Sequence, residues 1–153
     1  MNIKSPKQKG SNWEREAARI LESIILNSTW KRIPSSGAIG TIITEPILTG
    51  DLKGTVELYP KPFKGEAKIG YGGAKQFTLK KEWLDKIAEE AGNNYAIPFL
   101  IGRFSGARSG IEEFVILDLD TFSTLINLYT ELQRSIIQHE ESAKSLEISS
   151  KTI

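Results

Sequence analysis

Over residues 12 to 27 apolar side chains recur at helical spacing, and the chain then breaks into short apolar runs punctuated by Gly and Pro. That alternation limits the possible folds more than any other feature. Trp13, Ala17, Ile20 and Ile24, flanked by Ala18, Leu21 and Ile25, predict a helix from about 12 to 27 with Ser11 or Asn12 as N-cap. Residues 30 to 33 read as a short strand ended by Pro34, and 55 to 59 and 63 to 69 as a hairpin around Pro60-Lys61-Pro62. A second helix is expected over about 79 to 91, capped by Thr78 and stopped by Gly92. Strands at 95 to 104 and 114 to 119 follow. A last helix begins near Thr121 with Asp120 as its cap and runs to about Lys144, its stripe being Leu125, Leu128, Leu132 and Ile136. Helix, strands, helix, strands, helix predicts an α/β fold, a sheet with helices packed on it.

The chain has 153 residues, which suits one domain spanning 1–153 without a metal or disulfide staple. It has no cysteine, which removes thiolate chemistry and Cys-type zinc sites and fits a reducing compartment. Residues 1 to 10 form a polar, lysine-rich arm with no apolar stretch for a signal peptide, and no run is long enough for a membrane span. An intracellular protein with no membrane partner is the expectation. Residues 1 to 110 hold 17 Lys+Arg against 11 Asp+Glu, a balance of +6, whereas residues 111 to 153 hold 3 against 8, a balance of −5. A basic body suits an anionic polymer, although ordinary surface charge gives the same count. The apolar residues Ile39, Ile42, Ile43, Ile47 and Leu48 make 37 to 50 a candidate mobile arm that crosses DNA or a partner subunit, and 145 to 153 a tail that frays.

Three pieces of the chain carry candidate chemistry. In a strand, alternate side chains share a face, so Gly65, Ala67 and Ile69 would face the core while Glu66 and Lys68 project together. A carboxylate and an ammonium so placed can serve one reacting centre; they can equally form an exposed salt pair. Asp51 follows Gly50 and opens the hairpin, so it can converge with Glu66, or it can be a plain turn residue. Glu14 heads the row continued by Ala18, Leu21 and Ile25, where a lone carboxylate needs a partner or a metal; it also suits the positive end of the helix dipole. Three crowded carboxylates repel one another, and a divalent cation is the simple remedy. Oxygen donors without cysteine favour Mg2+, with Mn2+ as a substitute, over zinc. Such an ion would polarise a phosphoryl oxygen and acidify bound water, with Lys68 orienting that water or stabilising the added charge, and the chemistry implied is phosphodiester hydrolysis.

Other features carry less. Lys75, Gln76, Lys80 and Lys81 lie near the second helix's start, where cations can track phosphates or be plain solvated surface. Gly70-Tyr71-Gly72-Gly73 lacks the strand-to-helix glycine order, so no nucleotide cofactor is expected. Asn27-Ser28-Thr29 matches a glycosylation sequon, which means little without a secretory signal, and His139 has no companions for catalysis.

Asp51 followed by Glu66-Ala67-Lys68 resembles the D…(D/E)-x-K signature of the PD-(D/E)XK nucleases. Lys9-Gly10-Ser11-Asn12-Trp13-Glu14-Arg15-Glu16 is similar to the K-G-x-x-x-E-R-E opening of archaeal-type Holliday junction resolvases. Arg32-Ile33-Pro34-Ser35-Ser36-Gly37 is similar to their R-x-x-G-S type loop. The likeness runs over about residues 9 to 70. It implies a mixed central sheet flanked by helices in a restriction-endonuclease-like fold, a homodimer, and magnesium-dependent paired nicking of DNA at four-way junctions. By the same resemblance Asp51 and Glu66 are metal ligands with the Ala67 backbone carbonyl, Glu14 is a metal or water ligand, and Lys68 is the catalytic lysine. Lys9, Arg15, Arg32 and a serine of the loop would meet DNA. The chain has Gly50 where the family has Pro before the aspartate, and the Ser-Ser-Gly order leaves Ser35 and Ser36 both open. A viral or archaeal source is implied only by this likeness.

Overall fold

A computed structural model of the chain describes residues 6–33, 51–70, 73, 75–93, 95–106 and 109–150. Two compact units make up the chain, Met1–Leu117 and Asp118–Ile153. In the described part of the first, the order is α1 (Pro6–Ile24), β1 (Ser28–Arg32), β2 (Leu52–Val56), β3 (Phe63–Ile69), α2 (Lys81–Gly92), β4 (Ile97–Arg103) and β5 (Glu113–Ile116). The second unit contains α3 (Leu119–Ser150).

The five strands form one sheet in the order β1-β2-β3-β4-β5. β1, β2 and β3 pair antiparallel, β3 and β4 pair parallel, and β5 returns antiparallel to β4, so the sheet is mixed as expected. A parallel pair cannot be closed by a tight turn, and α2 supplies the crossover between β3 and β4. β3 therefore lies at the centre of the sheet, hydrogen-bonded on both edges.

Two helices cover the two faces. Trp13, Ala17, Ala18 and Leu21 of α1 pack with Trp30, Leu52, Ala67, Phe99 and Ile101 in one buried cluster. Glu66, one residue along β3, points the other way and meets Lys86 of α2. Both faces of β3 are thus covered, and Lys64, Gly65, Glu66 and Ala67 are all buried. Close approach fixes the glycines here: a Cβ on Gly65 would stand 2.3 Å from the Phe99 ring, and one on Gly54 2.3 Å from the Trp30 ring.

Element boundaries depart from the sequence expectations at several places. α1 begins at Pro6, so residues 6 to 10 of the expected arm belong to the helix, and it ends three residues early. Ser28 Oγ closes the turn after α1 by bonding the Ile25 carbonyl. β2 starts at Leu52 and not at residue 55, because Trp30 covers Gly54 and carries the pairing back to Arg32 and Leu52. α2 begins at Lys81 with Lys80 in the cap position, its side chain making no cap bond, and Gly92 lies inside the helix with Asn93 as its C-cap.

α3 is capped by Asp118 in place of Asp120. One carboxylate oxygen of Asp118 accepts the Thr121 N–H at 2.8 Å and the other accepts the Thr121 hydroxyl at 2.7 Å. These bonds occupy a donor that a helix start leaves orphaned, and they hold the Asp118 carboxyl below its usual range against the opposing effect of burial. α3 continues six residues past Lys144, to Ser150. The expected arm at 37 to 50 lies outside the described residues, as do 151–153 of the expected tail. No helix among the described residues is long and apolar enough to cross a membrane.

Candidate active site

Asp51 stands just ahead of β2, and its backbone splices it to both neighbouring strands. Its carbonyl accepts the Ile33 N–H at 2.9 Å, and its N–H donates to the Gly65 carbonyl at 3.0 Å. Its carboxylate then reaches past residue 66 to accept the Ala67 N–H, Oδ2 to N 3.0 Å. Two of these three hydrogen bonds, one from the backbone and one to the side chain, seat Asp51 against the middle of β3. An N–H and a C=O of one strand residue point to the same edge, so the Ala67 carbonyl lies on the edge that Asp51 occupies.

Glu66 is almost wholly buried, its side chain 4% exposed. It is not the exposed salt pair that the bare sequence allows. Lys68 Nζ donates to Glu66 Oε1 at 2.5 Å, and Lys86 Nζ reaches Glu66 Oε2 at 3.4 Å. Each carboxylate oxygen therefore faces an ammonium group. Burial pushes the Asp51 carboxyl up to about 6, and the Glu66 charge adds to the rise. The Ala67 N–H and Lys68 oppose it, and Glu14 contributes a smaller push upward. Asp51, Glu66 and Lys68 come from two chain segments and meet at one place.

Glu14 does not complete a trio of acids. Its Oε2 accepts from Arg32 Nε at 2.5 Å, on the α1 side of the sheet, and it acts on Asp51 through its charge. Among the described residues no three acidic or histidine side chains stand grouped so as to hold a metal. The residues present nevertheless fit a hard divalent cation. Glu66 is buried with Asp51 half-buried beside it, and burial first and the Glu66 charge second hold the Asp51 carboxyl above its usual range, which a cation between them would relieve. The donors are oxygens, with no thiol in the chain.

The remaining sequence candidates fall in different places. Lys9 is exposed on α1. Arg15 is exposed and bonds within its own helix, to Asn12 at 3.4 Å and Ser11 at 3.3 Å. Arg32 holds Glu14. Lys75 and Gln76 are exposed and line a groove with Phe77 and Phe114. Ser35 and Ser36 lie outside the described residues.

Three residues at or near the site were missed from sequence. Lys86 flanks Glu66, and its ammonium is favoured by Glu66, Glu90 and Asp51 although burial works against it. Glu90 lies one turn along, 3.8 Å from Lys86, and burial raises its carboxyl. Trp83 has the Lys68 ammonium 5.3 Å from its ring centre. Helical spacing to buried Ile87 shows only that these residues border an apolar face; which strand lies under α2 is a matter of topology.

Glu16 is held by a different device. The Arg103 guanidinium bonds both its carboxylate oxygens, at 2.8 and 2.9 Å, bonds Glu113 Oε1 from Nε at 3.0 Å, and lies 4.2 Å from the Trp13 ring centre. This clamp joins α1 to β4 and β5 on the face away from Glu66.

In comparison with known proteins, a family model described as "Phage putative PDDEXK endonuclease" matches residues 5–151. No curated protein matches the chain.

Proposed function

This chain belongs to that phage PDDEXK endonuclease family, within the PD-(D/E)XK superfamily, and from that premise we propose that it is a DNA endonuclease dependent on a divalent cation, with Asp51, Glu66 and Lys68 at its reacting centre. The observation that carries the reading is the seating of Asp51 on β3, its Oδ2 3.0 Å from the Ala67 nitrogen, beside a Glu66 that is itself bonded to Lys68.

Asp51, Glu66 and the Ala67 carbonyl would hold Mg2+, or Mn2+ in its place. When bound, such an ion supplies polarisation of a phosphodiester oxygen and a more acidic water. The chain's own residues do the rest. Lys68 is the ammonium nearest the carboxylates with part of its side chain open, 26% exposed. It is the group to orient the attacking water or to balance the charge that builds on phosphorus. Burial of Glu66 and the fixed Ala67 N–H keep both carboxylates oriented before substrate arrives, so little reorganisation remains at the moment of reaction. Glu14, clasped by Arg32, orders the neighbouring edge and adds negative charge that favours a cation.

The finer reading is a homodimer that resolves four-way junctions by paired nicks. It is supported by the ordered likeness of residues 9 to 16 and 32 to 37 to junction resolvases. Lys9, Arg15, Lys75 and Gln76 are the exposed groups available to DNA, with Arg32 nearer the centre and Ser35 or Ser36 beyond it in sequence.

A labelled four-way junction and a matching linear duplex, each with Mg2+ or with chelator, test both levels. Symmetric nicks confined to the junction support resolution. Metal-dependent cutting of both substrates keeps the nuclease and discards junction selectivity. Binding to DNA without any metal-dependent cutting overturns the enzymatic reading and leaves a binding module.

A further inference from the structure

A groove of about 590 Å³ opens in the first unit, floored by Phe77, Phe104 and Phe114, with Leu79 and Ile111 on its walls and Lys75 and Gln76 at its polar side. The groove adjoins the carboxylate site. Gly102, the β4 partner of Lys68, has the Phe114 ring over it, where a Cβ would stand 2.4 Å away. Phe77 meets Phe114 edge-on at 4.9 Å and Trp83 at 6.4 Å, and the Trp83 ring has Lys68 at 5.3 Å and Lys80 at 5.7 Å. An unbroken run of aromatic rings therefore leads from Lys68 to the groove, bordered by lysines.

We propose that this groove takes a nucleobase lifted out of the DNA stack next to the scissile phosphate. The inference rests on the nuclease reading and names what that site selects. Rings edged by ammonium groups suit a nucleotide, since every base has a face to stack and every nucleotide a phosphate to neutralise. Lys75 lines the groove itself, while Lys68 and Lys80 flank the adjoining Trp83 ring and also meet Glu66 and Glu82, so the cationic side favours an occupant that carries both a ring and a negative charge. Gln76 presents both an amide donor and an acceptor, which suits the edge of a base. Leu79 and Ile111 are exposed, 42% and 74%, so the walls are open to an incoming ring. Unpaired bases are cheapest to lift at bulges, branches and single strands, so the groove favours these over uniform duplex.

The test uses the full chain carrying Glu66→Gln, in chelator, so that binding is read without cleavage. Two duplexes of equal length are compared, one with a single unpaired thymidine at its centre. The bulged duplex is expected to bind about 10-fold tighter, in line with the worth of one stacked base. It should also quench tryptophan emission, because Trp13 and Trp30 are buried and Trp83 is the partly open indole. Ile111→Asp and Leu79→Ser sit on exposed walls and should keep the melting temperature while cutting the bulge preference to about 2-fold or less. Equal affinity for the two duplexes overturns the proposal. So does a preference that survives both substitutions, or a change of mass by light scattering on substitution, which would make the groove a self-association face. If the unsubstituted chain cuts no DNA with Mg2+ or Mn2+, the nuclease reading fails while the binding comparison still stands or falls by itself.

Discussion

The Asp51 carboxylate accepts the Ala67 N–H at 3.0 Å while the Asp51 N–H donates to the Gly65 carbonyl at 3.0 Å, so one residue grips β3 on both sides of Glu66. The grip fixes the carboxylate at a cost, because it holds a charge in a buried place next to another charge.

That cost has a sign. The Asp51 carboxyl is raised to about 6 from 3.8. The folded chain therefore binds this proton more tightly than the unfolded chain does. The stabilisation is fully present below about pH 4 and is lost as pH rises through about 6. Asp51→Asn keeps an acceptor for Ala67 and removes the charge. In chelator it should raise stability at pH 7 to 8 by up to about 3 kcal/mol, and the gain should vanish near pH 4. Melting temperatures of both proteins across pH 4 to 8 check this; a gain unchanged at pH 4 would sink it.

Glu66→Gln and Lys68→Ala should each lower cleavage by at least about 100-fold, the scale of losing a group that stabilises transition-state charge. Glu66→Gln should bind DNA as well as or better than the parent, since it removes a negative charge facing phosphate. Gel-shift and nicking assays on one preparation separate the two effects. Cleavage at the parental rate by the Glu66 variant would show that the site is elsewhere.

Lys86 stands 3.4 Å from Glu66 Oε2 and is half exposed. Its ammonium competes with any cation that seeks the same oxygen. Lys86→Ala should therefore tighten Mn2+ binding by about 3- to 10-fold, a modest Coulomb effect at a wet site. Calorimetric titration of Mn2+ reads it, and weaker binding would show that Lys86 supports the oxygen's position instead.

Arg103 makes its bonds as a fork, and lysine has no fork. Arg103→Lys should lose the paired contact with Glu16 and the stacking on Trp13, at a cost of about 1–3 kcal/mol. Thermal unfolding measures the loss, and no change in melting temperature would reduce the clamp to a surface pair.

Local patterns carried the reading of the sequence where they were strong. The alternation along residues 63 to 69 put Glu66 and Lys68 together, and the structure has them bonded. The helical rows of α1 were legible because Ala17 and Ala18 each lie about one turn before Leu21, and all three are buried. What escaped depends on contacts distant in sequence. Glu14 could be seen to face inward, but its partner Arg32 lies eighteen residues away, so a carboxylate answered by a guanidinium read the same as one awaiting a metal. Gly54 looks like a strand breaker until Trp30 is found lying across it. Lys86 and Trp83 reach the site only because α2 crosses over β3 and β4.

β3 pairs with β4 along its whole length and with β2 over Phe63–Gly65, and a strand held in that way opens only when the whole unit opens. The amides of Glu66 and Lys68 should then be among the slowest in the chain to exchange with deuterium. Fraying at the sheet's margins would leave Glu66 and Lys68 in place, so loss of catalytic power on heating should track global melting and not precede it.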